Sequence, residues 1–411
     1  MRIIKKTHNK STIAAMIGTA LEHYDASLYG FMAPLLVSIF LPTFDPLNAL
    51  IISFILTPIS IIVRPLGALA IGYIGDKYGR KFGLIVSMSG MAAVTGSIGL
   101  LPTYSSIGFA APILFIVMRS LQGFFMAGEY NGAAIFVLEH HENNNKGFMS
   151  GLYCMYTVVG MLAATLVVTI ISYLPQEYWR IPYLIGAMGG IVGLYMRRYI
   201  HETPVFLKCK YVEDISLKTI LRKYRLLLIS IGVSALFSAI YVLPTLLMNS
   251  LLPIVTGFKL STIMAINTVA TVLYMITVPM FGKLADRISI NKSMSIAAAV
   301  ILVLSYPLIN LIYYKNLFYI IAMKMSFALM IAWFCAPFHA WIQSLFHTKE
   351  RYTAISFSYS IGAQLGGFMV PVSLYMWKKT ESLSAIYLIL IFWAVISIVA
   401  LYFERGLEKH E

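Results

Sequence analysis

Eight ionisable side chains interrupt long apolar runs in this sequence: Glu22, His23, Asp25, Arg64, Arg119, Glu129, Lys324 and His339. Such groups are costly to bury, and proteins retain them in apolar segments where they pair, hold protons or bind charged solutes. A buried carboxyl group can keep its proton at neutral pH, and a guanidinium group suits the planar oxygens of a carboxylate. The residue types therefore indicate proton transfer and anion binding away from bulk water.

The composition indicates that lipid surrounds these runs. Hydrophobic residues make up 59% of the chain and charged residues 12%, against about 25% charged in soluble domains. The formal charge of +14 comes from cations at the ends of apolar runs, which is typical of membrane orientation and not of nucleic-acid binding. Three scattered cysteines and the lack of a nucleotide-binding motif predict no disulfide framework, metal or cofactor.

A membrane-crossing helix needs about 20 mainly apolar residues. Twelve runs meet this requirement, and Pro34, Pro58, Pro244 and Pro371 are candidate kinks within them. No cleavage site follows the first run, so it is expected to remain as a span and not to be removed as a signal peptide. The predicted spans are 12–40, 48–73, 83–101, 110–138, 148–174, 180–196, 226–252, 262–284, 292–313, 317–345, 352–376 and 383–403.

The cations between the spans predict the orientation of the chain. Segments on the side of the N-terminus hold 23 Lys and Arg residues, and the opposite loops hold 5. Cytoplasmic loops carry such an excess, so both termini are expected in the cytoplasm. The longest hydrophilic stretch, 197–225, is a predicted cytoplasmic loop between a half over 1–196 and a half over 226–411.

Three charged residues of the first half are predicted to lie at a similar depth in the membrane. With a rise of about 1.5 Å per residue, Glu22, Arg64 and Glu129 lie about 12–15 Å from the cytoplasmic ends of their spans. Two acids around one arginine predict a proton site or, alternatively, a permanent ion cluster that braces the bundle. Asp25 lies one turn deeper on the face of Glu22. Arg119 lies about 10 Å beyond Asp25, a gap that helix tilt would have to close.

The second half presents a lysine without an acid in its spans. Lys324 is interpreted as a substrate or cavity contact, with snorkelling to the interface and pairing with an acid of the first half as alternatives. His339 is interpreted as a packing histidine or a proton relay. Its aromatic neighbours could enclose a quaternary ammonium group or could form an ordinary packed face; they are Trp333, Phe334, Phe338 and Trp341.

A short loop sequence occurs twice, 210 residues apart. Gly72, Asp76, Gly79 and Arg80 follow the second span, and Gly282, Asp286 and Arg287 follow the eighth. A glycine lets two helices approach closely, and an aspartate can pair with cations or cap a helix. A charged turn would explain one copy, but two copies at matching positions predict duplication of a six-span unit and a conformational role for both loops.

These residues resemble the loop signature of the major facilitator superfamily, and within it the metabolite:proton symporters. The similarity extends along nearly the whole chain. It rests also on Gly18–Asp25 and Leu28–Gly30 in span 1, Arg64–Ala68 in span 2, Arg119–Gly123 with Gly128–Tyr130 in span 4, and Glu202–Phe206 in the central loop. Members often carry Trp after the span 1 glutamate, where this chain has His23, and the second loop copy lacks the terminal Gly-Arg.

The resemblance implies an all-α fold of twelve transmembrane helices in two halves, in a bacterial inner membrane. It implies proton-coupled symport by alternating access in a monomer, with a small metabolite such as proline or betaine as the substrate. The candidates for proton coupling are Asp25, Glu22, Glu129 and Arg64. The candidates for substrate binding are Arg119, Lys324, Tyr24, Gln122, Tyr241 and Gln364.

Other functions remain as alternatives at this point. A carrier of di- or tricarboxylates would also suit Arg119 and Lys324, because both are cations in apolar spans. A ligand sensor without net flux would need signalling extensions, whereas the predicted tails cover only 1–11 and 404–411. No arrangement of nucleophile and base is evident, so the chain is not expected to be an enzyme.

Overall fold

The structure is a computed structural model that describes residues 2–40, 63–141, 145–209 and 217–407. Residues 48–62 of the second predicted span, with Pro58, lie outside the described residues. The other predicted spans coincide with helices of the structure. Most of their ends agree with helix ends to within a few residues. Because no water is available in a bilayer core, a helix that satisfies its own backbone is the expected form for such apolar runs.

Twelve helices carry the fold in the described part of the chain, and short helical turns connect some of them. They are α1 (Arg2–Phe40), α2 (63–77), α3 (Arg80–Leu100), α4 (Ala110–Glu139), α5 (Lys146–Ser172), α6 (Ile181–Arg198), α7 (Tyr224–Thr256), α8 (Leu260–Ile288), α9 (Ile290–Tyr314), α10 (Leu317–Ser344), α11 (Arg351–Thr380) and α12 (Ser384–Leu407).

The all-α class is confirmed, since the described residues contain no strand. Eight of the described helices are long and apolar enough to cross a membrane. Large apolar side chains point outward along them; Leu100 is 71% exposed and Val303 is 66% exposed. In water such a surface would be unstable, so these faces are suited to lipid.

Three of the described helices depart from regular α-geometry: α7 and α10 internally, and α9 in a 3₁₀ turn over Leu311–Tyr314 at its end. Pro244, a predicted kink, is the second residue of a π-helical segment over Leu243–Leu247 in α7. A proline cannot donate the backbone bond of its turn, and π-segments commonly occur where that ladder is disturbed. In α10, residues Ala336 and Pro337 interrupt the helix between Cys335 and Phe338, a break that the sequence analysis did not predict.

The chain forms two compact units. The first comprises Met1–His140, Tyr156–Ile215 and His347–Phe357, and the second comprises His141–Met155, Ser216–Phe346 and Ser358–Glu411. The first turns of α5 therefore belong to the second unit, and the first turns of α11 belong to the first unit. The domain boundaries predicted from sequence, at 196 and 226, stay a prediction.

Candidate functional site

Asp25 lies in the interior of the first unit, on α1, and is 4% exposed. The Thr95 hydroxyl on α3 donates a hydrogen bond of 3.2 Å to its Oδ2 atom. Among the described residues, none bonds its buried Oδ1 atom. Gly186 on α6 leaves room for this carboxyl group, because a Cβ atom there would run into Oδ1. A buried oxygen without a donor favours the protonated, neutral form of a carboxyl group.

A chain of hydrogen bonds leads from Asp25 to Arg119. The side-chain amide of Gln122 donates to Thr95 Oγ1 at 3.0 Å, and Arg119 Nη1 donates to Gln122 Oε1. The guanidinium group of Arg119 also lies over the ring of Tyr29, 4.2 Å from its centroid. The predicted gap between Asp25 and Arg119 is thus not closed by a direct ion pair; two neutral side chains bridge it.

Arg64 and Arg119 line one cavity with an empty volume of about 370 Å³. Its other lining residues are neutral and come from α1 and α4: Ala26, Gln122, Gly123 and Met126. The predicted substrate candidates Arg119 and Gln122 therefore share a cavity with Arg64, which was predicted to serve proton coupling.

Glu129 was predicted to share Arg64 with Glu22, and this pairing is wrong. Its carboxylate is instead bound by Arg197 of α6, with a hydrogen bond of 2.7 Å between Nη1 and Oε2 and a second one to Oε1. Ser87 also donates to Oε2 at 2.5 Å. The reason is that α6 extends to Arg198, so the completely buried Arg197 turns back into the bundle instead of facing the central loop.

Glu22 contacts its neighbour in sequence. His23 Nδ1 lies 3.1 Å from Glu22 Oε2 and 3.0 Å from the carbonyl oxygen of Thr19. Because a carbonyl oxygen can only accept, Nδ1 must carry the proton. A cavity of about 240 Å³ is lined by all three acids Glu22, Asp25 and Glu129. The structure thus brings the three predicted acids together at one cavity.

Lys324 lies in the second unit and bonds inside the bundle. Its ammonium group donates to the Pro244 carbonyl oxygen at 2.7 Å, to Asn249 Oδ1 at 2.6 Å and to Asn267 Oδ1 at 3.2 Å. The π-segment of α7 supplies the first of these acceptors, because its backbone ladder is disturbed there. Three neutral oxygens satisfy the three donors without cancelling the charge.

A cavity of about 330 Å³ lies beside this ammonium group. The predicted candidate Tyr241 lines it together with Tyr274, and their ring centroids are 6.3 Å apart. The observed bonds keep the Lys324 side chain inside the bundle and do not direct it to the interface. The cavity contact is the alternative that this geometry favours.

The remaining substrate candidates lie apart from these cavities. The Tyr24 hydroxyl donates to the Pro182 carbonyl oxygen at 3.0 Å, and Gln364 is half-buried on α11. His339 is buried, with its ring 4.9 Å from that of Tyr153. The indole nitrogens of Trp333 and Trp341 donate to different partners, Ser293 and Glu404, and whether these rings enclose a cation stays a prediction.

The first loop copy is a buried network. Asp76 accepts hydrogen bonds from Arg80 at 2.7 Å, from the backbone nitrogens of Tyr352 and Thr353, and from the Thr353 hydroxyl at 2.7 Å. The carboxylate thus caps the first turn of α11, where the helix dipole favours a negative charge. Gly72 packs so closely against Thr353 that a Cβ atom would clash with its backbone.

Three acids of this network, Asp76, Glu139 and Glu202, lie in the segments that connect the predicted spans. Burial raises the pKa of Asp76 to about 6, against the opposing effect of Arg80 and the donors on α11. At neutral pH the carboxylate is therefore mainly ionised. Burial likewise raises the pKa of Glu202, whose Oε2 atom accepts from the Lys81 nitrogen. Glu139 binds Arg351 at 2.8 Å and the Thr203 hydroxyl at 2.6 Å.

The second loop copy uses backbone donors. Asp286 accepts from the backbone nitrogens of Gly147 and Phe148 at 2.7 and 2.8 Å, and so caps the first turn of α5. Gly282 packs against the backbone at Gly147 so closely that a Cβ atom would not fit. Arg287 is exposed. Whether either loop acts in a conformational switch stays a prediction.

The polar residues with buried side chains that sequence reasoning missed include Thr95, Arg197 and Glu404. Thr95 was a single hydroxyl in an apolar run, and Arg197 directly followed a predicted span end. Glu404 lies one residue beyond the last predicted span, yet α12 continues past it and the Trp341 indole donates to it at 2.6 Å. Polar residues within one turn of a predicted span end were the available signal in the last two cases.

The sequence model of the Major Facilitator Superfamily matches residues 15–371. The chain belongs to the Major Facilitator Superfamily. Among curated relatives, the proline/betaine transporter of Escherichia coli (strain K12) is 30% identical over 393 residues, covering 91% of this chain and 79% of the relative. The inner membrane metabolite transport protein YhjE of the same strain is 30% identical over 412 residues, covering 96% of this chain and 93% of the relative.

A third relative carries a broader name. The glycine betaine/proline/ectoine/pipecolic acid transporter OusA of Dickeya dadantii (strain 3937) is 28% identical over 417 residues, covering 96% of this chain and 83% of the relative. The family and these relatives are transporters, so the chain is an integral membrane transporter with a small-molecule substrate.

Solved structures agree with the family in fold. The proton:xylose symporter XylE bound to 6-bromo-6-deoxy-D-glucose superposes with a TM-score of 0.81 at 12% identity, covering 98% of this chain and 96% of XylE. The human organic anion transporter MFSD10 gives a TM-score of 0.72 at 14% identity, covering 97% of this chain and 99% of that chain. The predicted fold of this superfamily is therefore confirmed.

Proposed function

We propose that this chain is a proton-coupled symporter of a small zwitterionic metabolite of the proline or betaine kind. Two of the relatives named above, the proline/betaine transporter and OusA, are named for such solutes, and each match covers most of this chain. The observation that carries proton coupling is Asp25, a carboxyl group buried in the first unit with one oxygen that no described residue bonds. A group in that environment can exchange a proton without losing an ion-pair partner.

Glu129 is the weaker of the two proton candidates weighed from the sequence. Arg197 already neutralises its carboxylate in a doubly hydrogen-bonded pair. Protonation would leave a guanidinium charge buried without compensation, which is strongly unfavourable. We therefore assign the proton to Asp25 and a bracing role to Glu129.

Transport in this proposal requires proton and solute to bind together before the two halves exchange their facing. The driving free energy is about 2.3 kcal/mol per charge for each 100 mV of membrane potential, with the pH difference added. We propose a monomer in the bacterial cell membrane with both termini in the cytoplasm, as the excess of loop cations on that side predicts. A reporter fused after Glu411 should then be active in its cytoplasmic form only.

Uptake into proteoliposomes tests the proton step. The wild type should accumulate labelled proline or glycine betaine when an inward proton gradient is imposed. Asp25→Asn should still exchange the solute across the membrane without a gradient and should fail to concentrate it. Accumulation by Asp25→Asn with wild-type pH dependence would refute the assignment of the proton to Asp25.

A carrier of di- or tricarboxylates is the second candidate. The observation that favours it is the pair Arg64 and Arg119 at one cavity, which suits more than one negative charge. A thermal-shift screen against proline, glycine betaine, citrate, α-ketoglutarate and succinate separates the two, because a bound ligand stabilises the folded state. Stabilisation by the polycarboxylates and not by the zwitterions would favour this alternative.

A further inference from the structure

The second unit holds an ammonium group among three oxygen atoms that come from separate points of the chain. Lys324 on α10 is 3% exposed, and its Nζ atom lies 2.7 Å from the Pro244 carbonyl oxygen, 2.6 Å from Asn249 Oδ1 and 3.2 Å from Asn267 Oδ1. An ammonium group can only donate, so each asparagine presents its carbonyl oxygen and not its amide nitrogen. The cation therefore connects α7, α8 and α10 within one unit.

The Pro244 oxygen can accept from Lys324 because α7 is disturbed at this point. In a regular α-helix the backbone nitrogen of Met248 would bond to the carbonyl oxygen four residues earlier, that of Pro244. Here it bonds to the Leu243 carbonyl oxygen, five residues earlier, at the end of the π-helical segment. The donor that would otherwise reach the Pro244 oxygen is thereby displaced, and Lys324 takes its place. Transporters use carbonyl oxygens of such interrupted helices to coordinate monovalent cations.

All three oxygens are neutral, which is the chemistry of a cation site and not of an ion pair. An ion pair would place a carboxylate beside the ammonium group and cancel its charge. Amide and backbone carbonyl oxygens instead replace the water around a cation and leave its charge in place. Divalent cations such as Ca²⁺ are bound largely through Asp and Glu carboxylates. The three oxygens therefore suit a single positive charge.

We propose that Pro244, Asn249 and Asn267 form a binding site for a monovalent cation, and that the Lys324 ammonium group fills this site as an occupant tethered to the chain. The tethered charge holds the π-helical segment of α7 against α8 and α10, as a bound ion would. The proposal is independent of the assignment of the proton to Asp25 and of the identity of the substrate. It also implies that the second unit requires no free Na⁺ or K⁺ at this place.

The cavity beside the ammonium group would admit a free cation once the tether is removed. It has an empty volume of about 330 Å³, and its lining includes Lys324 and Asn267 together with Tyr241 and Tyr274. Lys324→Ala deletes the outer methylene groups of the side chain with the ammonium group, a fragment that has the size and charge of n-propylammonium. This variant therefore keeps the three oxygens and leaves space for that ion.

Thermal unfolding of full-length Lys324→Ala in the chloride salts of different cations tests the site. At equal concentration, n-propylammonium should raise its melting temperature by about 3 °C or more above the value in tetramethylammonium, which carries the same charge but has no N–H donor. Stabilisation by Na⁺ or K⁺ in place of n-propylammonium would also support the site, with a smaller ion as its occupant. The wild type should melt at the same temperature in all four salts, because Lys324 already fills the site.

Met323→Ala is the matched control, because Met323 is a completely buried neighbour of similar length on α10. Its truncation opens an apolar space without the three oxygens, so n-propylammonium should stabilise this variant no more than tetramethylammonium does. Adding Asn267→Ala to Lys324→Ala removes one acceptor, and the affinity for n-propylammonium should fall about tenfold or more.

A Lys324→Ala protein that does not fold on its own still decides the question. Its yield of folded protein is then compared between purification in n-propylammonium and purification in tetramethylammonium. Rescue by n-propylammonium supports the site, and equal yields overturn it. Equal melting temperatures of Lys324→Ala in the four salts would overturn it as well, as would stabilisation of Met323→Ala or of the wild type by the same amount.

Discussion

The two loop copies place an aspartate at the first turn of a helix in the same way, but they satisfy it differently. Asp76 caps α11 and Asp286 caps α5, each through two consecutive backbone nitrogens. The position three residues after each aspartate has a positive φ: 111° at Gly79 and 99° at Ser289. The repeat has therefore retained the backbone geometry although the residue at that turn has changed.

The side chains of the two copies differ in charge and bulk. In the first copy, Arg80 and the Thr353 hydroxyl add two charge-assisted bonds to the fully buried Asp76. In the second copy, Ile290 stands where Arg80 would be, and Phe148 stands where Thr353 would be. Both copies therefore share the aspartate cap on a helix, whereas the buried ion pair with an arginine is present in the first copy and absent from the described residues of the second.

The largest expected contrast is between Asp76→Asn and Asp286→Asn. Removing the Asp76 charge breaks a fully buried ion pair and leaves Arg80 with the more distant Glu139, 3.5 Å from its Nε atom, so the unfolding free energy should fall by up to about 3–5 kcal/mol. Asparagine has one acceptor oxygen, so Asp286→Asn should keep one of the two backbone bonds and lose the other, at a cost of about 1.5–3 kcal/mol. Denaturation of the two purified variants checks this difference.

Transport adds a second measurement to the same pair. Asp76 lies apart from the cavities described above, so binding of glycine betaine by folded Asp76→Asn should stay near wild type while the initial uptake rate falls. Equal losses of stability in the two variants would contradict the difference in burial. Loss of binding in well-folded Asp76→Asn would move this residue into the substrate site.

Much of this architecture followed from the sequence, because apolar length and cation placement act locally. Spans, the repeat and the buried acids of α1 could be predicted in that way. The partner of Glu129 could not, because depth places residues on a common level without telling which helices face each other. Depth favoured Arg64, since Arg197 lay just beyond the predicted end of its span, and the bonds of Arg197 to Leu84 and Glu129 depend on helix packing that the sequence alone does not give.

The next contrast removes one hydroxyl from the first copy. Thr353→Val takes away the 2.7 Å bond to Asp76 and keeps the backbone donor. A hydrogen bond to a charged group contributes about 1.5–3 kcal/mol, so the unfolding free energy should fall by that amount. Thr169→Val on α5 is the control, because its exposed hydroxyl bonds only within its helix, to the Thr165 carbonyl oxygen at 2.8 Å. A loss of the same size in the control would show that the network contributes nothing.

Exchange of the turn residues tests the shared backbone directly. Gly79→Ser introduces a side chain at a φ of 111°, where its Cβ atom would also run into the Glu202 carboxylate. Left-handed backbone costs a residue with a side chain about 1–2 kcal/mol, so the variant should lose at least that much stability. Wild-type stability would mean that the turn can adopt a negative φ without consequence.

The smallest expected effect is a gain in the second copy. Ser289 has a φ of 99°, a backbone conformation that is strained for any residue with a Cβ atom, and its neighbour Ile290 begins α9. Ser289→Gly should remove this strain, partly offset by the greater freedom of glycine in the unfolded chain, for a net gain of about 0.5–1 kcal/mol. The exposed Ser289 side chain loses little packing in the exchange.

Urea denaturation of Ser289→Gly beside Ser289→Ala separates backbone strain from loss of the hydroxyl, since alanine keeps the Cβ atom. A stabilised alanine variant, or a destabilised glycine variant, would show that the repeat does not store strain at this turn.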